Sequence, residues 1–164
     1  MFILIRKAKL SDLDKLVEIE NICFPEKERE TRKIISERIE TFNEGFLVAE
    51  VEQEIVAMIN CCATNSDSIN QEEFEKIMHF PSQVNSGKNQ FLVSIEVLPE
   101  FQGNGIANLL LERMIMIAKE NKKKKILLVC KEPLIELYKK IGFIPNSDQI
   151  KYGNEKWFGM ELEL

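Results

Sequence analysis

Residues 97–110 read VLPEFQGNGIANLL, a strand-like run that breaks and restarts as an apolar helical pattern. Two glycines, a glutamine and an asparagine fill the break, so the main-chain NH groups there are almost uncovered. A strand, a glycine-rich turn and a helix N-terminus make a ready anion site, because the first helical amides lack internal partners and the helix dipole is positive at that end. Glycine removes the Cβ that would hold an anion away, and successive turn amides can form a concave nest. The same glycines would equally serve a plain tight turn that needs them for its backbone angles. A dinucleotide-binding turn, G-x-G-x-x-G, is excluded because Asn108 stands where the third glycine belongs. A nucleotide P-loop is excluded for want of a Gly-Lys-Ser/Thr ending.

The surrounding pattern says which elements hold this turn. Residues 2–8 read as a strand, and Ser11 with Asp14 three residues on opens a helix carrying Leu13, Leu16, Val17 and Ile19 on one side. Ile34, Ile35 and Ile39 predict a second helix over 31–42, stopped by Gly45. Strands at 46–51 and 55–62 form a hairpin. Residues 64–90 are the least patterned, with one short helix near 71–78. From residue 91 the signal sharpens into a strand through Val97, a helix over 105–120 and the buried strand ILLVC. A helix over 133–141 is bracketed by Pro133 and Gly142, and a last hairpin turns at Gly153-Asn154. This order predicts one α/β domain over residues 1–164, with a mixed sheet and helices on its faces.

The chain has 164 residues, 45% apolar and 30% charged, with a net charge of −5. That is the composition of an ordinary soluble globule with one core, and it offers no basic excess for nucleic-acid phosphates. The lysines at 122–125 fall at a helix end, where cations suit the dipole. Cys23, Cys61, Cys62 and Cys130 show no metal-ligand spacing and read as reduced thiols in apolar stretches. The N-terminal MFILIRKAKL is too short and too soon charged for a signal peptide or a membrane span, so the expected compartment is cytoplasmic.

Taken whole, VLPEFQGNGIA resembles the GNAT superfamily of N-acetyltransferases. Their acyl-CoA signature is Gln/Arg-x-x-Gly-x-Gly/Ala after a strand ending Val-x-Pro, and Gln102, Gly105 and Ala107 fill its slots. LLVCKEPLIELYKKIGF, residues 127–143, matches the strand and helix that in that family end Tyr-x-x-x-Gly-Phe. Its Cys130-Lys131-Glu132-x-Leu134 run is most similar to the serotonin (arylalkylamine) N-acetyltransferase branch and its bacterial relatives. CFP at 23–25, GFLVAE, and HFP after the short acidic helix resemble bacterial members. The resemblance implies a GNAT (acyl-CoA N-acyltransferase) fold, a mixed and mostly antiparallel sheet of about seven strands flanked by about four helices. It implies acetyl-CoA as co-substrate and no metal. The backbone of Ile95, Glu96 and Val97 would pair with the pantetheine arm. Gln102 and the amides of Gly103, Asn104, Gly105, Ile106, Ala107 and Asn108 would hold the pyrophosphate. The acceptor would be a small-molecule amine or a peptide amine, with no nucleic-acid or membrane partner, and similar proteins commonly form homodimers.

Acetyl transfer from a thioester to an amine poses two proton problems. A lysine-like ammonium of pKa about 10.4 is neutral at pH 7 at a cost of roughly 4.6 kcal/mol, and the departing thiolate is helped by a proton donor. The spacing of Leu134, Leu137, Tyr138 and Ile141 on one helical face would make Tyr138 a core aromatic; the resemblance makes it the general acid for coenzyme A sulfur. The histidine pair of the animal serotonin enzymes falls on Phe91 and Val93, which accept no proton. His79 lies in the loop region ahead of that strand, Glu28 could meet a cationic substrate, and Phe24 could line its pocket. No base is assigned, so a non-catalytic acyl-CoA-binding or regulatory module on the same fold stays open as the second reading.

Overall fold

In the computed structural model, which describes residues 1–164, seven strands form one sheet: β1 (Leu4–Lys7), β2 (Phe46–Val51), β3 (Glu54–Thr64), β4 (Asn89–Val97), β5 (Lys125–Cys130), β6 (Ile144–Tyr152) and β7 (Glu155–Glu163). Five helices accompany it: α1 (Leu13–Cys23), α2 (Arg32–Thr41), α3 (Gln71–His79), α4 (Ile106–Glu120) and α5 (Ile135–Ile141). The strand order is β1-β2-β3-β4-β5-β7-β6. Every neighbouring pair is antiparallel except β4 and β5, which α4 joins by a crossover and which therefore run parallel. This is the mixed, mostly antiparallel sheet expected from the sequence, with five helices in place of about four.

The centre of the sheet is apolar on both faces. Ile55 to Thr64 of β3 are all buried, which explains why the run IVAMINCCAT does not alternate. Cys61 joins the larger core with Leu16, Ile19, Leu110 and Met114, whereas its neighbour Cys62 faces a smaller cluster with Phe74, Ile77 and Phe91. All four thiols are free. No helix is long and apolar enough to cross a membrane.

β4 and β5 pair only through Gln90–Leu92 and Ile126–Leu128. Beyond Leu92, β4 continues alongside β3 while β5 continues alongside β7. The register of β4 against β3 also slips here: Cys61 faces Leu92 and Asn60 faces Ser94, leaving Val93 as the extra residue of a bulge. The sheet thus divides into two leaves just ahead of the glycine turn.

Three local expectations change. Ser11 caps nothing. Leu10–Asp12 is a 3-10 turn, and Asp12, at the N-cap position of α1, turns its side chain back to accept the Lys9 NH at 2.8 Å while pairing with Arg6 at 2.8 Å. A carboxylate already fixed by a guanidinium is a stronger acceptor than a hydroxyl. The last hairpin begins at Ile144 rather than near Lys151, because β6 is an edge strand, polar along most of its length and bulged between Pro145 and Gln149. Residues 64–90, mostly exposed, are nonetheless anchored: α3 forms as expected and buries Phe74, Ile77 and Met78, and Ile69 and Val84 are buried beside it.

Arg38 ties this region together. Its side chain is buried, pairs with Glu30 at 2.7 Å and donates to the Ile77 carbonyl at 2.9 Å, joining α2 to α3. Arg38→Ala leaves the Glu30 carboxylate buried without a counter-ion, and a loss of about 3–5 kcal/mol of unfolding free energy is expected in urea titration.

Candidate functional site

The space opened by the parting of β4 and β5 is a cleft of about 470 Å³ whose floor is the glycine turn. Gly103 and Gly105 both hold φ at +78°, in the left-handed region. A Cβ built on either meets nothing within 4 Å, whereas one on Gly45 or Gly159 would collide with the protein's own side chains. Packing within the chain therefore explains Gly45 and Gly159. Gly103 and Gly105 are explained by their backbone angles, and they leave open space above them. Gly105 is also the N-cap of α4 and supplies no side chain, so the first amides of that 15-residue helix face the cleft uncapped.

Of the residues expected around the cofactor, Ile95, Val97, Gln102, Gly103, Gly105, Ile106, Ala107, Asn108 and Tyr138 all line this cleft. Gln102 also anchors the strand end, donating from Nε2 to the Val97 carbonyl at 3.0 Å. Two expected side chains do not line it. Asn104 folds back to donate to the carbonyls of Phe101 and Gln102, stiffening the turn. Glu96 follows strand alternation to the opposite face and is buried there; only its main chain borders the parting. Tyr138 reaches the cleft from α5 and packs edge-on against Phe143, with ring centroids 5.6 Å apart. Burial, reinforced by Cys130 and Cys61, holds its phenol above the ordinary ionisation range.

On the other face, next to Val93 and Ser94, lies a second cavity of only about 40 Å³. Its wall includes Phe24, Glu28, Glu30, Phe74, Tyr152 and Trp157. Glu28 is not free to meet a cation: Lys131 pairs with it at 2.9 Å and lies 5.3 Å from the Trp157 ring centroid. Tyr152 donates its hydroxyl to the Glu28 carbonyl at 2.8 Å. Phe24 does line this cavity. His79 lies away from both spaces, 62% exposed, with Nε2 3.1 Å from Glu75 Oε2.

Sequence reasoning missed one group of side chains. Glu20 from α1 and Glu96 from β4 are both buried beside each other, close to the Glu30–Arg38 pair. Burial raises both carboxyls, and their mutual proximity couples them. The signal available was a lone glutamate inside the apolar strand FLVSIEV, but strand alternation alone could not say that its partner would be another acid.

A family model described as "Acetyltransferase (GNAT) family" matches residues 13–143. An N-alpha-acetyltransferase of Sulfurisphaera tokodaii is 31% identical over 143 residues, covering 85% of this chain and 78% of that protein. Two solved structures share the fold end to end. The loading GNATL domain of CurA from Lyngbya majuscula has a TM-score of 0.85 at 19% identity, covering 99% of this chain and 98% of that one. Arabidopsis thaliana Naa50, in complex with the bisubstrate analogue CoA-Ac-MVNAL, has a TM-score of 0.75 at 18% identity, with 100% of each chain covered. The curated relatives are N-alpha-acetyltransferases rather than serotonin enzymes, which corrects the branch suggested by the Cys130–Leu134 run.

Tyr138 and Tyr152 are the two tyrosines of the chain, and burial raises both phenols. Above the ordinary tyrosine range the native state then holds more protons than the unfolded chain, so stability falls as pH rises through that range. Phenolate absorbance at 295 nm should stay flat past pH 10 and appear together with loss of the circular-dichroism signal.

Proposed function

We propose a function from one premise: the chain belongs to the GNAT acetyltransferase family and is an acetyl-CoA-dependent N-acetyltransferase. The acceptor we infer is a primary amine, and specifically the α-amine at the N-terminus of a peptide. The relatives that match over most of the chain carry that activity in their names.

One observation carries the placement of acetyl-CoA on this chain. The uncapped amides between Gly103 and Asn108 open into the cleft where β4 has lost its β5 neighbour. A diphosphate fits an uncapped helix N-terminus with no Cβ in the way. The pantetheine arm fits the side of β4 that lacks a strand, taking main-chain hydrogen bonds from Ile95 to Val97 as an added strand would. Ile95, Val97, Ile106 and Leu111 give that arm an apolar wall.

Each protein group then has a limited task. The strand end fixes the thioester beside the parting, so the amine meets it from the opposite face of the sheet as a near-unimolecular partner. Tyr138, kept protonated by its burial, supplies the departing sulfur with a proton and is reprotonated from the amine side or from solvent. Gln102 Nε2, donating to the Val97 carbonyl, holds this strand end in place.

Acetyl-CoA should raise the melting temperature, with about 2.7 kcal/mol of added stability at a hundredfold excess over Kd. Gly105→Val, which forces a branched side chain into a left-handed position at the turn, should abolish most of that shift. Tyr138→Phe should keep the shift and lose turnover by roughly 10²-fold or more, read as thiol release with a peptide bearing a free N-terminus. A shift without thiol release from any peptide or amine would leave a coenzyme A-binding module, and turnover unchanged in Tyr138→Phe at all pH values would remove Tyr138 as the acid.

A further inference from the structure

The Glu20–Glu96 pair takes no part in the chemistry described so far. The residues are 1% and 2% exposed and reach each other from α1 and β4, close enough for one carboxyl to donate to the other. Neither oxygen of Glu96 is satisfied by a well-formed hydrogen bond, and the side chains that approach it are Glu20 and Ser94. An acceptor buried in that state is destabilising, so stability gives no reason for a glutamate at this position.

Ser94 stands between this pair and the 40 Å³ cavity. Its Oγ accepts from Asn60 Nδ2 at 2.7 Å, which leaves its own proton free for Glu96. The bulge puts it there. With Val93 inserted, the residues of β4 shift phase, so Ser94 enters the cavity wall two residues before Glu96 enters the core of the same leaf. This is also where β4 parts from β5, the place assigned above to the thioester.

We propose that Glu20 and Glu96 together form the proton acceptor for the amine, reached through the Ser94 hydroxyl. The inference rests on the acetyltransferase reading. An ammonium N–H passes its proton to Ser94 Oγ as the Ser94 O–H proton passes to Glu96, whose own proton moves on to the ionised Glu20 carboxylate. The free amine then bonds to the thioester carbonyl carbon and the C–S bond breaks, the sulfur leaving with the electron pair. The second amine proton ends on that sulfur, through Tyr138. The proton held by the pair returns to solvent along the same hydroxyl once the amide has left. Charge and protons balance, and nothing is oxidised or reduced. Ser94 is the group that touches the amine, and the glutamates act through it.

The charged and titratable groups around the pair are Arg38 on α2, Glu30 before it, Cys23 at the end of α1, Cys62 on β3 and Tyr152 on β6. Arg38 and Glu30 pair with each other through Nε and Nη2 of the guanidinium. Burial pushes the Cys62 thiol up to about 12 and raises Cys23 and Tyr152 also, so these stay neutral where the carboxyls titrate. Burial lifts Glu20 to about 7 and Glu96 in the same direction. The pair therefore goes from two protons to one near neutrality, and the one-proton form is the acceptor.

The test is thiol release by Glu96→Gln and Ser94→Ala against the wild type between pH 6 and 9.5, with a free-N-terminus peptide as acceptor. At low pH both variants should lose roughly 10²-fold in kcat, with KM for acetyl-CoA changed by less than about twofold. The deficit should shrink toward pH 9.5, where water deprotonates the amine unaided. The native pair binds more protons than the unfolded chain, so wild-type Tm should fall as pH rises from 5 to 8, and Glu96→Gln should flatten that slope. A deficit that is absent or equal at every pH, or a Tm slope untouched by Glu96→Gln, overturns the proposal. A wild type that binds acetyl-CoA but releases no thiol removes the acetyltransferase reading itself, while wild-type turnover with pH-blind variants removes only the relay.

Discussion

After Leu92, β4 keeps β3 on one side and has no strand on the other. Main-chain NH and C=O groups of a central strand rarely go unpaired, because each one left buried without a partner is destabilising. Here the chain opens its sheet in the middle, between its parallel pair, instead of at an edge. The opening is held by covalent topology: β4 leads through the glycine turn into α4, and α4 returns the chain to β5. The pairing of β5 with β7 keeps the second leaf from closing on the first. Whatever occupies the cleft must offer hydrogen bonds along the strand and negative charge at the helix terminus. A long thioester ending in a diphosphate does both, and that requirement underlies the functional reading.

The face behind the opening has a different economy. Glu20, Glu30 and Glu96 lie with one guanidinium, that of Arg38, inside a region with almost no exposed surface. One carboxylate is neutralised by Arg38, and the other two cannot both be ionised side by side in that setting. The consequence is a shared proton. Such a pair stays compact at neutral pH only as a hydrogen-bonded acid and its conjugate base, which is a group poised to give or take a proton. Across the parting, on the β5–β7 leaf, Lys131 pairs with Glu28 and lies against Trp157.

Much of this was legible in the sequence. The turn from Gln102 to Asn108, the strands around it and the α5 tyrosine could all be placed, because glycine, proline and apolar periodicity act locally. The misreadings share a cause. Ser11 gave way to Asp12 through the distant Arg6, the residues of β6 pair as an edge strand with no apolar face of their own, and His79 was drawn toward the site only by being the single histidine. Each depends on contacts far away in the chain. Glu96 shows the limit most clearly. Its strand position was correct, but which side chain it would meet was fixed by the packing of α1 across the sheet.

The acceptor and the proposed base constrain each other. A lysine ammonium at pKa about 10.4 costs roughly 4.6 kcal/mol to deprotonate at pH 7, whereas a peptide α-amine near 7.7–8.0 costs only about 1 kcal/mol. Passing a proton from the α-amine to a carboxyl lifted to about 7 is nearly balanced, while passing one from lysine to the same group is uphill by more than three pH units. Efficient proton transfer wants donor and acceptor close in pKa. An ordinary carboxylate near 4.3 would suit neither amine, and the burial that lifts Glu20 to about 7 brings it closer to the α-amine than to a lysine. The acid pair and the peptide N-terminus are thus matched by the same property, the low polarity of the core behind Ser94. The proposed base therefore fits the acceptor class that the names of the relatives suggest.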